Sequence, residues 1–386
     1  MSAYHRSIVD QKILINALGA AIGGGAHHLT SLLPMLGRTR PNWEFVVLTR
    51  ERLQIAEVDE NVVMRPVPDR VARGTMLRTA FDLTYLPISA LASRSTVLVS
   101  LTNFGPIWSA VPHISLQQNS KFFCPAYLDR ISGAEKRDTA LRKRLLESSA
   151  RHASLVVVPT QAMAEMLRRS CPSIAPERIR VLLHGFEHPS ASSGNGHFRL
   201  KADRGAVKIF YPSGTGRHRG LDIVPKLLAA FREKHSEFVF LTTVSEAEGP
   251  DVYREFREDV DRHQVQGNVE YLGRISHEKI NAVYGQSDIV LYPSLCESFG
   301  FPMVEAMSHG LPIVAADTAV NREICGDAAL YYPPLDPDAG AEALFRALDS
   351  GIADKLSQGA RRRLGSFDWS WRRYAEEFCS TIEEVT

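Results

Sequence analysis

The 386-residue chain has little of several things that would settle its class at once. Neither sign of charge dominates. Lys and Arg number 45 against 44 Asp and Glu, net +1, so no global field points to nucleic acid. No apolar run approaches the roughly 20 residues a membrane helix needs. The opening MSAYHRSIVDQKILINALGAAIGGG puts charge ahead of an apolar run, but that run is short and Gly-broken, and reads as a buried strand. Cysteine is scarce: Cys124, Cys171, Cys296, Cys325 and Cys379 show neither a CxxC nor a zinc spacing. Such an odd, scattered set is expected to be reduced thiols in a cytosolic protein. No repeat of short fixed period occurs, and no His/Asp/Glu cluster offers a metal site.

What is present is an ordinary globular balance, 44% apolar and 23% charged, on a chain long enough for about two domains. KILINAL (12–18), EFVVLTR (44–50), TVLVSL (96–101), HISLQQ (113–118) and SLVVVPT (154–160) are short runs of Val, Ile and Leu with little polar alternation. They predict parallel strands covered on both faces. Helical patterns such as 26–37 and 160–170 lie between them, giving a βαβα array. A polar Ser/Gly-rich stretch, 188–206, then reads as a linker or exposed loop. A second array follows with VKIFYPS (207–213), EFVFLTT (237–243), NVEYLG (268–273), DIVLYPS (288–294) and LPIVAAD (311–317).

The expected fold is therefore α/β, with two Rossmann-like doubly wound domains facing each other across a cleft. The divisions are 1–190, a linker or loop at 191–206, a second domain at 207–365, and an amphipathic helix at 366–386 that pattern alone does not place, and that either stays with the second domain or returns to the first. Ligands of such sheets bind beyond the carboxyl ends of strands.

The stretch CESFGFPMVE, 296–305, sits at such an end, in the loop leaving DIVLYPS. Pro302 suits the first helical position and Gly310 the residue past the helix end. Gly300 and Phe301 then lie at a helix N-terminus, where free N–H groups and the dipole favour an anion. Glu297 falls just outside it and Glu305 in its first turn. Two carboxylates around an anion site suit a ligand with phosphates in the middle and hydroxyl-rich groups at each end, such as a sugar nucleotide. The alternative is that Glu305 only complements the dipole and Glu297 is a solvated loop residue.

The stretch 267–335 resembles the C-terminal half of glycosyltransferase family 4. GNVEYLGRIS, LYPSLCESFGFPMVEAMSHGLPIVAAD with its E-x7-E pair, and NREICGDAALYYPPLDPD carry the likeness. The resemblance implies the GT-B fold and a retaining, metal-independent hexosyl transfer from a nucleotide-diphosphate sugar to a hydroxyl acceptor, a glycan or a lipid-linked saccharide. It implies that Glu297 approaches the donor sugar and assists transfer, and that Glu305 holds the ribose. Backbone N–H groups of Ser298, Phe299, Gly300 and Phe301 would hold the sugar and diphosphate. No cofactor or metal is expected.

YPSGTGRHRGLD, 211–222, puts Arg217, His218 and Arg219 at a strand end, where basic groups suit a diphosphate. The family usually has Arg, four residues, then Lys followed by Gly or Asn. Arg219-Gly220 takes the latter place, but Gly214 stands where the Arg would be, so Arg217 or His218 would supply that charge. A solvated basic loop is the plainer reading. The stretch fails as a dinucleotide fingerprint, with one residue too many before its last glycine and no acid after the next strand.

In the first array, Gly23-Gly24-Gly25 follows a strand and precedes a helix. It is a turn, or, as the family implies, a loop in which Gly24 and Gly25 let the backbone approach the donor. The family's His after the strand HISLQQ falls by register near Gln118 and Asn119, which become the candidate acceptor or donor contacts. His113, inside the strand, reads as a core residue, and His27 and His28 as helix-start residues. Asp336-Pro337-Asp338 fits a D-x-D metal pattern but opens a helix that Asp338 is placed to cap. Residues 130–151 hold seven basic against three acidic side chains, with Leu141, Leu145 and Leu146 on one face. This is a solvated helix face, or a contact with the inner face of an anionic membrane. Two rival functions share the fold: a sugar-nucleotide 2-epimerase, and a non-catalytic sugar-nucleotide-binding protein.

Overall fold

A computed structural model describes residues 9–20, 23–51, 55, 58–73, 75–187, 200 and 205–386. The chain forms two compact units. The first takes residues up to 123, 131–185 and 369–386; the second takes 124–130 and 186–368. This differs from a single division near residue 190 in two places. The short segment 124–130 belongs to the second unit, and the C-terminal helix belongs to the first. The polar stretch read as a linker lies almost wholly outside the described residues.

The first unit holds seven strands: β1 (Gln11–Asn16), β2 (Trp43–Arg50), β3 (Val62–Val67), β4 (Val97–Ser100), β5 (His113–Leu116), β6 (Leu155–Val158) and β7 (Ile179–Val181). They form one parallel sheet in the order β3-β2-β1-β4-β5-β6-β7. β4, β5 and β6 are buried at every position, which is why their sequences carry no polar alternation. The second unit holds β8 (Val207–Tyr211), β9 (Phe238–Thr242), β10 (Val269–Tyr271), β11 (Ile289–Tyr292), β12 (Ile313–Ala316) and β13 (Ala329–Tyr332). Their order is β10-β9-β8-β11-β12-β13, again all parallel.

In both sheets the strand order reverses once. The reversal lies between β1 and β4 in the first unit and between β8 and β11 in the second. Connections on either side of that point leave to opposite faces, so the loops diverge and open a crevice at the strand ends. The fold thereby names two places where a ligand is expected before any side chain is considered.

The C-terminal helix Trp371–Glu383 packs on helix Gly23–Thr39 with Trp371, Tyr374, Phe378 and Ile382 buried. His28 is buried one turn into helix Gly23–Thr39 and its Nε2 lies 2.8 Å from the Tyr374 hydroxyl, so it fastens two helices rather than simply starting one. Burial, aided by the neighbouring His27, lowers its pKa to about 3.

Candidate active site

The crevice of the second sheet is walled by the loops that leave β8 and β11. The β8 loop is tied down first. The Ser213 N–H donates to Thr243 Oγ1 at 2.9 Å, and Thr215 Oγ1 donates to the Ser245 carbonyl at 2.8 Å. A 3₁₀ turn, Arg217–Arg219, follows. Gly220 then adopts φ +69°, and a Cβ there would run into the Pro293 carbonyl. Only glycine permits that conformation beside so close a backbone. The two loops are joined where they meet: the Leu295 N–H donates to the His218 carbonyl at 3.0 Å.

On that seam the Arg219 guanidinium pairs with Glu297. Ser294 Oγ also donates to Glu297 Oε1, at 2.6 Å, and the Tyr211 hydroxyl fixes the turn by donating to the Arg219 carbonyl at 2.7 Å. Burial works against the Arg219 charge, and the facing Glu297 carboxylate more than restores it, so its pKa is raised. The Glu297 side chain is 9% exposed and that of Arg219 28%, so the pair is neither in bulk water nor sealed from it. An arginine presents five donors, and the exposed part of this fork can serve a phosphate while one branch holds Glu297.

Helix Phe301–Ser308 starts at the same place. Gly300, at φ +88°, is its N-cap, and a side chain there would meet Met303. Gly310, at φ +68°, lies past its end as expected. The register differs from the sequence reading by one residue. Phe301 is the first helical position and Pro302 the second, which puts Glu305 in the second turn. There Glu305 is largely buried. Its Oε2 accepts from the Tyr284 hydroxyl at 2.9 Å, and its Oε1 lies 3.8 Å from His277 Nε2. Burial raises the Glu305 pKa, against the opposing pull of Tyr284 and His277. The two carboxylates thus differ in character: Glu297 is ion-paired with an arginine, whereas Glu305 is held by a neutral hydroxyl, and both are largely withdrawn from solvent.

Other predicted residues are placed differently. Arg217 is engaged by Glu255 through two bonds of 2.6 Å, so its fork faces helix Pro250–Arg262 and not the Glu297 seam. The His218 ring lies edge-on to Tyr127, centroids 5.8 Å apart. Phe299 is buried and packs edge-on against Phe301, so only its backbone remains for a ligand. Gly24 and Gly25 are not a loop ahead of a helix but part of its first turn, in Gly23–Thr39.

Gln118 and Asn119 follow β5 in the first unit. Both backbone N–H groups donate to Asn103 Oδ1, at 2.7 and 3.0 Å, and the Gln118 amide lies 3.3 Å from His28 Nδ1. Asn103 itself adopts φ +60°, and one Asn in a polar loop carries no signal of this in the sequence. His113 is buried in β5 with Nε2 3.0 Å from Ser100 Oγ.

Two further expectations are corrected. The cysteines are not all free: Cys124 and Cys296 form a disulfide, leaving Cys171, Cys325 and Cys379 as buried thiols. The bond joins residues 172 apart, which no local spacing can reveal. It lies within the second unit and fixes segment 124–130 beside Glu297. Asp336, not Asp338, caps helix Pro337–Ala347, accepting from the Ala339 N–H at 3.0 Å. Among the described residues no group of three or more His, Cys, Asp or Glu side chains could hold a metal ion.

Two parallel Rossmann-like units, each with its switch point, define the GT-B class of α/β proteins, and this chain has that fold. Residues 209–350 match the family described as Glycosyl transferases group 1. That match lies within the second unit. The O-antigen chain mannosyltransferase B of Escherichia coli is 35% identical over 134 residues, 33% of this chain and 34% of that protein. The D-inositol 3-phosphate glycosyltransferase of Salinispora arenicola is 36% identical over 111 residues, 27% of this chain and 24% of that protein. The matches therefore span about a third or less of these relatives' own lengths. Among solved structures, a sucrose-phosphate synthase from Thermosynechococcus elongatus superposes with a TM-score of 0.76 at 16% identity, covering 97% of this chain and 99% of that one. Anabaena HepE, in complex with UDP and glucose, gives 0.69 at 16% identity over 97% and 99%. At these identities the structural likeness carries the fold alone.

Proposed function

We propose that the protein is a retaining glycosyltransferase that moves a hexosyl unit from a nucleotide-diphosphate sugar to a hydroxyl acceptor, a glycan or a lipid-linked saccharide, without a metal cofactor. One observation carries this reading. Glu297 and Glu305 lie on either side of the N-terminus of helix Phe301–Ser308, at the switch point of the second sheet, with Arg219 on the same seam. The helix end and Arg219 supply positive potential for a diphosphate. Glu305, whose two oxygens face Tyr284 and His277, takes the ribose hydroxyls. Glu297, held in place by Arg219 and Ser294, is aimed at the sugar end, where charge develops as the glycosidic bond breaks. Anabaena HepE, a structural neighbour solved with UDP and glucose and with UDP-glucose, is in keeping with a donor of this class. Gly24, Gly25, Gln118 and Asn119 belong to the first unit and are assigned to further donor or acceptor contacts there.

The test is a thermal-shift and calorimetric panel of UDP, GDP, ADP and dTDP, followed by mass analysis of the matching nucleotide sugar after incubation. A ligand at 100 times its Kd adds about 2.7 kcal/mol of stability, which is readily seen. Release of nucleoside diphosphate that depends on an added acceptor supports transfer. A changed sugar on an intact nucleotide would mean an epimerase, and binding without any turnover a receptor.

A further inference from the structure

One helical stretch of the first unit has its chemistry turned inside out. It runs without a break through helix Thr75–Ala80, a π-turn at Phe81–Tyr85 and helix Leu86–Ala92. Its inner side carries Asp82, Leu86, Pro87 and Ala90, all buried. Its outer side carries Met76 and Leu77 near one end and Tyr85, Ile88 and Leu91, three residues apart, toward the other. All five are about half exposed or more, from 49% at Tyr85 to 87% at Met76. The charged residues within 75–92 are Arg78 and Asp82, and they pair with each other at 2.7 Å on the inner side. An ordinary surface helix is apolar inward and charged outward. A contiguous exposed apolar stripe instead marks an interaction surface. Trp108 extends it. Half of its surface is exposed, and its indole N–H donates to the Leu83 carbonyl at 3.1 Å.

The charges around the stripe say what it meets. Residues 69–94 contain Arg70, Arg73, Arg78 and Arg94 against Asp69 and the buried Asp82. Arg70 and Arg94 are exposed at the two ends of the stretch. A second copy packed across a two-fold axis would bring these basic ends together with Asp69 as the one acid beside them. Anionic headgroups above an apolar layer complement both features, and Trp and Tyr at the margin suit that boundary. We propose that this face docks on the surface of an anionic bilayer, with the helical stretch lying in the plane of the interface. A cavity of about 100 Å³ opens on the same stretch, lined by Arg78, Thr79, Leu83, Ile107 and Arg142. A lipid-borne acceptor would meet it without leaving the membrane surface. That last point rests on the transferase reading; the docking does not.

The experiment is co-sedimentation of the full chain with vesicles of phosphatidylcholine alone or mixed with phosphatidylglycerol, at low and high salt. Binding to the mixed vesicles, weakened by salt, is expected. Met76→Glu with Ile88→Glu should lower it about tenfold or more, with an unchanged melting temperature because both positions are exposed. Arg70→Gln with Arg94→Gln should weaken binding and flatten its salt dependence. The proposal is overturned if the wild-type chain binds neither vesicle, or if the glutamate variant binds like wild type. It is also overturned if the chain is a dimer in solution that the glutamate variant makes monomeric. The nucleoside-diphosphate thermal shift should be the same in all variants. If it were absent in the wild type, the transferase reading would fail and the docking would stand.

Discussion

The Arg219–Glu297 pair both holds the loop that leaves β8 and aims a carboxylate, so breaking it tests both roles at once. Replacing Arg219 with Ala leaves Glu297 without its cationic partner, facing only the neutral hydroxyls of Ser294 and Tyr292, in a place where 9% of its side chain meets solvent. Breaking a fully buried pair from one side costs about 3–5 kcal/mol. This pair is partly open on the arginine side, so water recovers some of that, and a loss of about 1.5–3 kcal/mol is expected. For a unit of this size that is about 3–12 °C in melting temperature.

The informative measurement is a double-mutant cycle in urea. Arg219→Ala, Glu297→Ala and the double variant are compared with wild type. The double variant has no stranded charge, so it should be less destabilised than the two single losses added together, with a coupling of about 1–3 kcal/mol. Arg219→Lys, which keeps the charge but not the planar fork, should fall between wild type and Arg219→Ala. If the single losses add to within about 0.5 kcal/mol, the pair makes no net contribution in solution, and Arg219 does not hold Glu297 in place.

Four other outcomes follow from the same geometry. Glu305→Ala should weaken nucleoside diphosphate and full donor alike, by about 1.5–3 kcal/mol, whereas Glu297→Ala should spare nucleoside diphosphate and lower turnover; identical profiles in titrations and steady-state rates would dissolve the division of labour. Unfolding without reductant in the presence of a thiol alkylator should add three labels, and with reductant five, since Cys124 and Cys296 are bonded; five labels without reductant would contradict the disulfide. EDTA should leave initial transfer rates unchanged, and recovery of a lost rate with Mn²⁺ or Mg²⁺ would refute the metal-free reading. Burial lowers the pKa of both His28 and His113 to about 3, so the unfolded chain binds protons more readily below about pH 6.5, and stability of the first unit should fall as pH drops from there toward 3. At pH 5 the loss is about 2 kcal/mol for each histidine, and urea midpoints that do not move between pH 7 and pH 5 would count against their neutral burial.

Most strands could be read from the sequence because most are interior. β1, β2, β4, β5 and β6 are runs of Val, Ile and Leu with both faces covered, and burial on both faces is what removes the alternation. The strands the sequence did not show are β3, β7 and β13, and each is the edge of its sheet. β3 reads VVMRPV with three positions exposed, and β7 is three residues long. An edge strand may carry Pro and charge, since one side of its ladder is unpaired, so its sequence looks like a loop. The Glu297/Glu305 site was legible for a different reason. Its parts lie on one loop and one helix, and spacing along a short stretch is spacing in space. Arg219–Glu297, Cys124–Cys296 and the Asn103 contacts join separate loops, so nothing local announces them.

The helical stretch 75–92 shows a third way in which a sequence can hide its meaning. Its apolar residues are spaced as a helix requires, and the usual inference from such a pattern is that the apolar stripe faces the core. Here it faces out. What turns the helix round is the polar cluster on its other side: Asp82 accepts from Arg78 at 2.7 Å and from the Asn16 amide at 3.1 Å, and Asn16 is the last residue of β1. A carboxylate with two such partners can be buried, and burial raises its pKa while Arg78 and Asn16 oppose that rise. Asp82→Ala would remove the anchor and leave Arg78 inside without its partner, at a cost of about 3–5 kcal/mol. Asp82→Asn would keep one hydrogen bond and lose the charge, and should cost less. If both variants melt with wild type, the cluster does not hold the helix, and the outward stripe must be explained by something other than the sheet end beneath it.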